Sequence, residues 1–285
     1  MPESPDVEAL ASDLRRRIAG RMVDRVDLTA FSALKTVAVA PSSLVGKTVK
    51  DVRRHGKFLA LHVDDVHLII HLARAGWIRC RDSVPVSRPK PGKGPLAVRL
   101  VLGDRCLDVT EAGTKKRLAL YIVNDPSEVS GIAALGADPL GSEFTFEAFC
   151  GVLDEAGRAR IKGVLRDQTL IAGIGNAYSD EILHRARMSP FASAAMPTEE
   201  RQRLYEAVTA TITSEIRRLS GLDAADIKQA KKDGMQVHGR AGEPCPVCGD
   251  TVRQVVFSDS SFQYCPTCQT DGKILADRGM SRLLK

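Results

Sequence analysis

The residues that could carry out covalent chemistry begin at the second position of the chain, in the opening stretch MPESPDVEAL. Removal of Met1 leaves Pro2 with a secondary amine, and an α-amino group has an ordinary pKa of about 8. A helix N-terminus beside the amine disfavours its protonated form, so a useful fraction is free base at neutral pH. Such an amine can attack an aldehyde carbon and form an iminium, as a catalytic lysine does. The alternative is that Pro2 and Pro5 only shape the entry of the chain into a helix.

Four cysteines near the carboxyl end have the spacing of a metal site. They form two C-x2-C pairs separated by sixteen residues, and they are Cys245, Cys248, Cys265 and Cys268. Two such pairs bring four thiolates around a tetrahedral zinc ion, with a β-hairpin between them. Because four thiolates leave no ligand position open, we expect one Zn²⁺ ion with a structural role. Disulfide bonds are the alternative, which the expected cytoplasmic location disfavours.

A third stretch, LIAGIGNAYSDEIL, combines a glycine turn with the start of a helix. Gly173 and Gly175 permit a tight double turn, and Asn176 opens a helix whose first N–H groups can hold a phosphate. Lys162 and Arg166 on the preceding helix add positive charge. The alternative is a plain corner between two helices.

Lysine and arginine are clustered along the chain, which has a formal net charge of +6 and a pI of about 9.0. The clusters are RRHGK, SRPKPGKG, GTKKR, GRARIKGVLRD, KQAKKDG and the terminal KILADRGMSRLLK. Several stand beside turns or glycines, and together they favour nucleic acid as the partner. Lys57, in the first cluster, follows a glycine at the start of a predicted strand, where a lysine is held out from a turn. An exposed turn lysine without a special role is the alternative.

An amino-terminal helix must position Pro2. Ser4 is the predicted N-cap, Pro5 suits the first helical position, and Asp6 and Glu8 fall in the first turn, where the helix dipole favours negative charge. Apolar residues recur at intervals of three and four, the pattern of a helix with one buried face. They are Val7, Leu10, Leu14 and Ile18.

The rest of the chain divides by pattern into further parts. Short apolar stretches with turns between them predict a β-sandwich or barrel up to residue 125. A linker rich in proline, glycine and serine follows over residues 126–142, then a helical domain over 143–235 and a cysteine module with a basic tail over 236–285. The predicted fold class is α+β: an N-terminal β-sandwich with an N-terminal helix, a helical domain and a C-terminal zinc-binding β-hairpin.

Length and composition bound the class of protein. A chain of 285 residues with 44% hydrophobic residues suits two globular domains, one of them with a small appendage. No apolar run approaches the length of a membrane span, and the opening lacks the apolar core of a signal peptide. We therefore expect a cytoplasmic monomer without a membrane partner.

Taken in order, the motifs resemble the Fpg/Nei family of DNA glycosylases, that is, formamidopyrimidine-DNA glycosylase and endonuclease VIII. The resemblance rests on the opening Met-Pro-Glu-x-Pro-x-Val-Glu, the turn HGK, the helix-two-turns-helix segment GIGNAYSDE, the stretch VHGRAGEPC and the terminal four-cysteine zinc finger. It runs nearly from end to end. It implies a bifunctional enzyme of base excision repair that removes an oxidised base from DNA and then cuts the abasic strand.

The resemblance also implies roles for individual residues. Pro2 would be the nucleophile that attacks C1′ of the damaged nucleotide, forming a Schiff base that leads to β-elimination. Glu3 would act as acid and base near the sugar, and Lys57 would contact a backbone phosphate. Asn176 and the amides around Gly175 would hold a second phosphate, and the damaged base would be flipped out of the stack.

The chain departs from the family pattern on the active-site side at two places. Asp6 stands where the family usually has a glutamate, and its shorter side chain could loosen a hydrogen bond. Arg74 stands at the place of a methionine that fills the gap left by the flipped base, and TEAGTKKRLALY lacks a nearby arginine–phenylalanine pair. Arg74 is therefore expected to contact phosphates instead, together with Lys115, Lys116 and Arg117.

The zinc finger departs from the pattern as well. Ser260, beside Asp259, occupies the tip position where the family presents an arginine, and Arg253 on the other strand is the expected substitute for DNA contact. His238 stands where a tyrosine is common, and we interpret it as a packing residue rather than one that transfers protons.

Two other functions remain open on sequence grounds. One is a relative that binds damaged or structured DNA but has lost base excision, which the altered gap-filling residues and finger tip favour. The other is an RNA-binding protein, because a helix-two-turns-helix also occurs in a ribosomal protein, although Pro2 and the β domain would have no role there.

Overall fold

The computed structural model of the chain describes residues 1–92, 94–257 and 261–275. It confirms the α+β class and divides the chain into two compact units. The first unit comprises Met1–Ala134 and Arg218–Gln229, and the second comprises Leu135–Arg217 and the chain from Ala230 onward. Within the described residues, no helix is both long and apolar enough to span a bilayer.

The first unit contains an amino-terminal helix and a β-sandwich, as predicted. The helix is α1 (Ser4–Ile18), and the strands are β1 (Arg25–Leu28), β2 (Val49–His55), β3 (Phe58–Val63), β4 (Val66–His71), β5 (Gly76–Arg81), β6 (Leu96–Leu102), β7 (Arg105–Glu111) and β8 (Ala119–Val123). They form two antiparallel sheets, with the strand orders β1-β6-β7-β5 and β2-β3-β4-β8. Val98 of the first sheet and Leu68 and Leu120 of the second line one small internal void, so the two sheets pack face to face.

Helix α1 begins at Ser4, one residue earlier than predicted. Glu3, not Ser4, is the N-cap, and Pro5 is the second helical residue instead of the first. The prediction missed this because it considered only the usual small polar caps and overlooked the pairing of Glu3 with Asp6. The apolar face of α1 is buried as predicted, with Val7, Leu10, Leu14 and Ile18 all at 0% exposure.

Short helical segments complete the first unit. Two 3₁₀ helices span Phe31–Ala33 and Pro41–Leu44, and a third, Pro126–Glu128, leads into helix α2 (Ser130–Ala133). Val129, between the last two, packs on the outer face of the second sheet against Ala60, Ile69 and Val123. The first part of the predicted linker is therefore folded onto the sandwich.

The second unit holds most of the helical domain and the described part of the cysteine module. Its helices are α3 (Phe146–Ala156), α4 (Ile161–Arg166), α5 (Asn176–Arg185), most of α6 (Thr198–Leu219), part of α7 (Ile227–Gly234) and α8 (Pro266–Thr270). Phe149, Leu165, Tyr178 and Ile182 lie at the centre of an apolar core with 0% exposure. Strands β9 (Arg253–Val256) and β10 (Ser261–Tyr264) form an antiparallel hairpin.

Residues 218–229 return to the first unit, although the sequence analysis grouped them with the helical domain. The backbone N–H of Ala224 donates to Asp13 Oδ2 at 3.1 Å, and Trp77 Nε1 donates to the carbonyl of Ala224 at 2.9 Å. Arg17 of α1 forms an ion pair with Asp223 at 2.5 Å. The returning segment therefore holds both α1 and β5.

Candidate functional site

The amino terminus is anchored at the start of α1. Pro2 is buried, and Glu3 is 2% exposed. The N–H of Glu3 donates to Asp6 Oδ2 at 2.8 Å, and the N–H of Asp6 in turn donates to the Glu3 side chain, which completes a capping box. The Asp6 carboxylate therefore takes part in the hydrogen bonding that fixes the start of α1.

Lys57 lies in the two-residue turn between β2 and β3, beside Gly56, whose φ of 54° is in the left-handed region that favours glycine. Lys57 is only 7% exposed, whereas a lysine in an ordinary surface turn is mostly exposed to solvent. Arg54 donates from Nε to Glu8 Oε2 at 3.0 Å and from Nη1 to the carbonyl of Gly56 at 3.2 Å. Arg54 therefore ties the start of α1 to the turn that carries Lys57, a link that sequence spacing did not reveal.

His71 is a second residue that the sequence analysis missed. Pairing of β3 with β4 places it opposite Phe58, with the ring centroids 4.7 Å apart. Burial, and to a smaller extent the charge of Lys57, lowers the pKa of His71 below its ordinary 6.5. Its imidazole is therefore neutral at neutral pH and lies within electrostatic reach of Lys57.

Two basic loops lie side by side at one end of the first sheet. Arg74 is exposed in the turn between β4 and β5, and the N–H of Ala112 donates to the carbonyl of Ala75 at 3.2 Å. The second loop is residues 112–118, between β7 and β8. The carboxylate of Glu111 accepts hydrogen bonds from the N–H groups of Arg117 and Leu118 at 2.7 and 3.0 Å, which closes the base of this loop. The exposed cations of the second loop are Lys115, Lys116 and Arg117. The backbone bond between Ala112 and Ala75 therefore places the two loops that carry these four cations beside each other.

The glycine turn before α5 has a side-chain brace. Gly173 adopts a φ of 89°, and its N–H donates to Gln168 Oε1 at 2.9 Å. Gln168 Nε2 donates to the carbonyl of Ile174 at 2.8 Å, so one side chain bridges the turn. Gly175 is the N-cap of α5 and Asn176 its first residue, which is the predicted arrangement for binding an anion at a helix N-terminus.

Lys162 lies beneath this turn and not on the surface. The residue is 5% exposed, and its Nζ lies 2.5 Å from Asp180 Oδ1 and 2.7 Å from Ser179 Oγ. A cation held in a buried ion pair is unsuited to reach out to a phosphate, so this placement corrects the expected surface role. Lys162 instead fixes α4 against α5.

Asn176 and His238 both connect the helical domain to the finger. Asn176 Nδ2 donates to the carbonyl of Ser261 at 2.7 Å. His238 Nδ1 lies 2.6 Å from Asp180 Oδ2, which also accepts the N–H of Gln263 at 3.2 Å. His238 therefore has a specific hydrogen-bonded position and is more than the packing residue that we expected.

The four cysteines form a site that fits zinc. Their sulfur atoms all lie within 4.8 Å of one another, with Cys245 and Cys268 3.9 Å apart and Cys248 and Cys265 3.4 Å apart. Zinc–sulfur bonds of about 2.3 Å in a tetrahedron require sulfur atoms about 3.8 Å apart. These separations are too long for disulfide bonds, and all four cysteines are free.

The chemistry of the donor set couples metal binding to proton release. Burial raises the pKa of the Cys265 thiol to about 11, so a zinc ion must displace the proton of this thiol when it binds. The first cysteine pair lies in a tight turn, residues 245–250, that backbone hydrogen bonds close. In this turn the N–H of Cys245 donates to the carbonyl of Asp250 at 2.7 Å, and the N–H of Gly249 donates to the carbonyl of Cys245 at 2.8 Å. The four cysteines are thus pre-positioned for one structural zinc ion.

Arg253 is exposed on β9, opposite Tyr264 of β10. It is available at the surface of the hairpin, as the predicted DNA contact requires. Ser260 and Asp259 of the finger tip, and the basic tail after residue 275, lie outside the described residues.

The fold and the site together define the class as an α+β zinc protein of the Fpg type. The features that define it are a helix anchored directly after Pro2, a β-sandwich, a glycine turn between two helices and a four-cysteine finger. Family models agree with each part. The formamidopyrimidine-DNA glycosylase N-terminal domain matches residues 1–113, and the H2TH domain of the same family matches residues 135–225. A zinc finger found in FPG and IleRS matches residues 242–270.

Individual relatives match along most of the chain. Formamidopyrimidine-DNA glycosylase of Thermus thermophilus is 34% identical over 282 residues, covering 95% of this chain and 100% of the relative. An uncharacterized formamidopyrimidine-DNA glycosylase-like protein of Mycobacterium tuberculosis is 54% identical over 153 residues, covering 53% of this chain and 95% of that protein. The chain belongs to the formamidopyrimidine-DNA glycosylase family.

Solved structures show the same fold. The crystal structure of MutM (Fpg) from Thermus thermophilus matches with a TM-score of 0.78 at 30% identity, covering 94% of this chain and 98% of the other. The Lactococcus lactis Fpg in complex with DNA containing an abasic site matches with a TM-score of 0.82 at 23% identity, covering 94% and 99%. The predicted fold and the predicted zinc site are both confirmed.

Proposed function

We propose that this protein is a bifunctional DNA glycosylase and AP lyase of base excision repair, acting on damaged or abasic DNA in the cytoplasm. The observation that carries the proposal is the anchored amino terminus. Pro2 is buried directly before a capped helix, and Arg54 ties the first turns of that helix to the turn of Lys57. A flexible tail could not hold an amine at one reacting atom, whereas this arrangement can.

The proposed reaction uses the amine of Pro2 after removal of Met1. Its nitrogen lone pair attacks C1′ of the flipped nucleotide, and the glycosidic bond breaks with its electrons leaving on the base. The C1′–O4′ bond then opens, the sugar oxygen takes a proton, and an iminium joins Pro2 to C1′. The buried carboxylate of Glu3 is placed next to the amine in the chain and would move protons at the sugar.

The same iminium supports strand cleavage. It acidifies the C2′ proton, so a modest base removes that proton, and the electrons expel the 3′ phosphate by β-elimination. Each step uses groups of the protein and water alone. We assign the zinc ion to holding the finger, and not to the bond-breaking steps.

The phosphate contacts follow from the placement of the basic residues. Lys57, in its low-exposure turn, would bind one backbone phosphate more strongly than a fully hydrated lysine does. The N-terminus of α5, at Gly175 and Asn176, would hold a second phosphate. Arg74 and Arg253, both exposed, would contact the strand elsewhere.

A second candidate is a relative that binds damaged or structured DNA without excising a base. The cations of the two basic loops favour it, because Arg74, Lys115, Lys116 and Arg117 suit phosphates better than they suit a gap in the base stack. The RNA-binding alternative has no such support, since the family match includes the β-sandwich.

A Pro2→Gly variant tests the proposal. Glycine keeps a free amine after removal of Met1 but provides a primary one, so we expect most cleavage of an abasic oligonucleotide to be lost while its binding is retained. Pro5→Ala, which changes the helix without touching the amine, is the matched control and should cleave at nearly the unaltered rate. Undiminished cleavage by Pro2→Gly would remove Pro2 from the mechanism.

A further inference from the structure

Helix α5 carries a row of polar residues along one face, and most of them are buried. They are the half-buried Asn176 and the buried Asp180, Glu181 and His184, at positions i, i+4, i+5 and i+8. Residues at these spacings lie on the same side of a helix. Buried polar side chains are costly unless they find hydrogen-bond partners, so each one calls for an explanation.

The cysteine module and its lead-in supply those partners. Asn176 donates to the Ser261 carbonyl, and Asp180 accepts from the backbone of Gln263, as described above. Glu181 accepts three backbone N–H groups at 2.8 to 3.0 Å, from residues 236, 237 and 238. The polar face of α5 is therefore the surface on which the finger is mounted.

His184 is the last member of this row, and it contacts a metal ligand. It is 5% exposed, and its Nε2 lies 3.3 Å from Cys245 Sγ, which belongs to a residue that is 2% exposed. A zinc-bound cysteine is a thiolate, which has no proton and can only accept a hydrogen bond. With zinc bound, the favourable arrangement is donation from Nε2–H of a neutral imidazole to that sulfur.

We propose that His184 is a positioning residue of the zinc centre, holding Cys245 through an N–H to thiolate hydrogen bond. The bond orients the sulfur and spreads part of its negative charge onto the imidazole, the usual role of outer-shell groups around a metal. It also joins the zinc site to the helix that begins at the glycine turn, within a single compact unit. An aromatic hydrocarbon side chain would fill similar space but could not make this bond.

Three substitutions in the full chain test the proposal. His184→Phe keeps a ring and removes the donor. His184→Gln places an amide N–H near the position of Nε2, whereas His184→Asn places one nearer to Nδ1. His62→Phe, which alters a histidine of the other compact unit, is the matched control.

Two measurements apply to each variant: the rate at which zinc is lost to a chelator, and the thiolate-to-metal charge-transfer band after cobalt replaces zinc. We expect His184→Phe to lose zinc about tenfold faster and to shift the band to lower energy, because the sulfur regains electron density. His184→Gln should recover much of both properties. His184→Asn should behave like His184→Phe, and His62→Phe should behave like the unaltered protein.

The proposal is overturned if His184→Phe matches the unaltered protein in both zinc loss and band energy. If that variant does not fold around the metal, the Gln and Asn variants decide the matter. Equal zinc-loss rates for these two would contradict a bond at Nε2, whereas slower loss for Gln would support it.

Discussion

At the scale of single residues, short polar contacts fix the groups that could react. Asp6 and Glu3 cap the same helix end reciprocally, and Arg54 joins that helix to the turn of Lys57. Each contact removes conformational freedom before substrate arrives, which is how positioning contributes to a rate.

The Asp6 carboxylate gives a direct test of this anchoring. Asp6→Ala should reduce the free energy of unfolding by about 1 kcal/mol, because the buried N–H of Glu3 loses its acceptor, and should lower strand cleavage more than DNA affinity. Urea unfolding and single-turnover cleavage measure the two effects. Asp6→Glu keeps a carboxylate and serves as the control, and an Ala variant that cleaves normally would show that the capping box does not position Pro2.

Residues of the site differ in how well sequence alone predicts them. The four cysteines were found because their chemistry shows in their spacing, and Pro2 became a candidate through its chain position. Gln168 and Arg54 were missed, since their roles depend on hydrogen bonds that only the folded backbone creates. His184 is the clearest such case, because its partner Cys245 lies 61 positions away.

At the scale of elements, strand pairing creates a charge environment that no single strand contains. β3 and β4 place His71 opposite Phe58, close enough to Lys57 for its charge to disfavour a protonated imidazole. The sequence analysis predicted strands with turns between them in this region, but it did not predict the meeting of histidine and lysine.

The lowered pKa of His71 makes stability depend on pH. Protonation is easier in the unfolded chain than in the folded one, so the unfolded state binds more protons just below pH 6.5, and stability falls as pH falls through that value. Urea unfolding at pH 7.5 and 5.5 should show this loss, and His71→Gln should show a smaller one. An identical pH dependence in the variant would contradict the assignment.

At the scale of the whole molecule, the chain does not divide into consecutive domains. Residues 218–229 belong to the first compact unit, where Ala224 bonds Asp13, 211 positions earlier in the chain. Composition identifies linkers but carries no signal for such a return, which explains why the sequence analysis kept this segment with its neighbours. The β-sandwich, the helical part and the finger were predictable because each has its own periodicity or spacing.

Zinc should be essential to the folding of the finger. Because metal binding and folding are coupled in such modules, chelation is expected to unfold the finger and to weaken DNA affinity, with added zinc restoring both. Circular dichroism and fluorescence anisotropy with labelled DNA measure the two changes. Unchanged affinity after complete zinc removal would place the finger outside the DNA interface.

The central claim is that Pro2 is a nucleophile, and borohydride trapping tests it most directly. The purified protein is mixed with an oligonucleotide bearing one abasic site, the reductant is added, and intact-mass analysis establishes whether Met1 has been removed. We predict a covalent adduct located at Pro2 of a chain that lacks Met1, because borohydride converts the iminium into a stable amine. Absence of any adduct from a chain confirmed to begin at Pro2 would contradict the account and leave a DNA-binding protein without lyase chemistry.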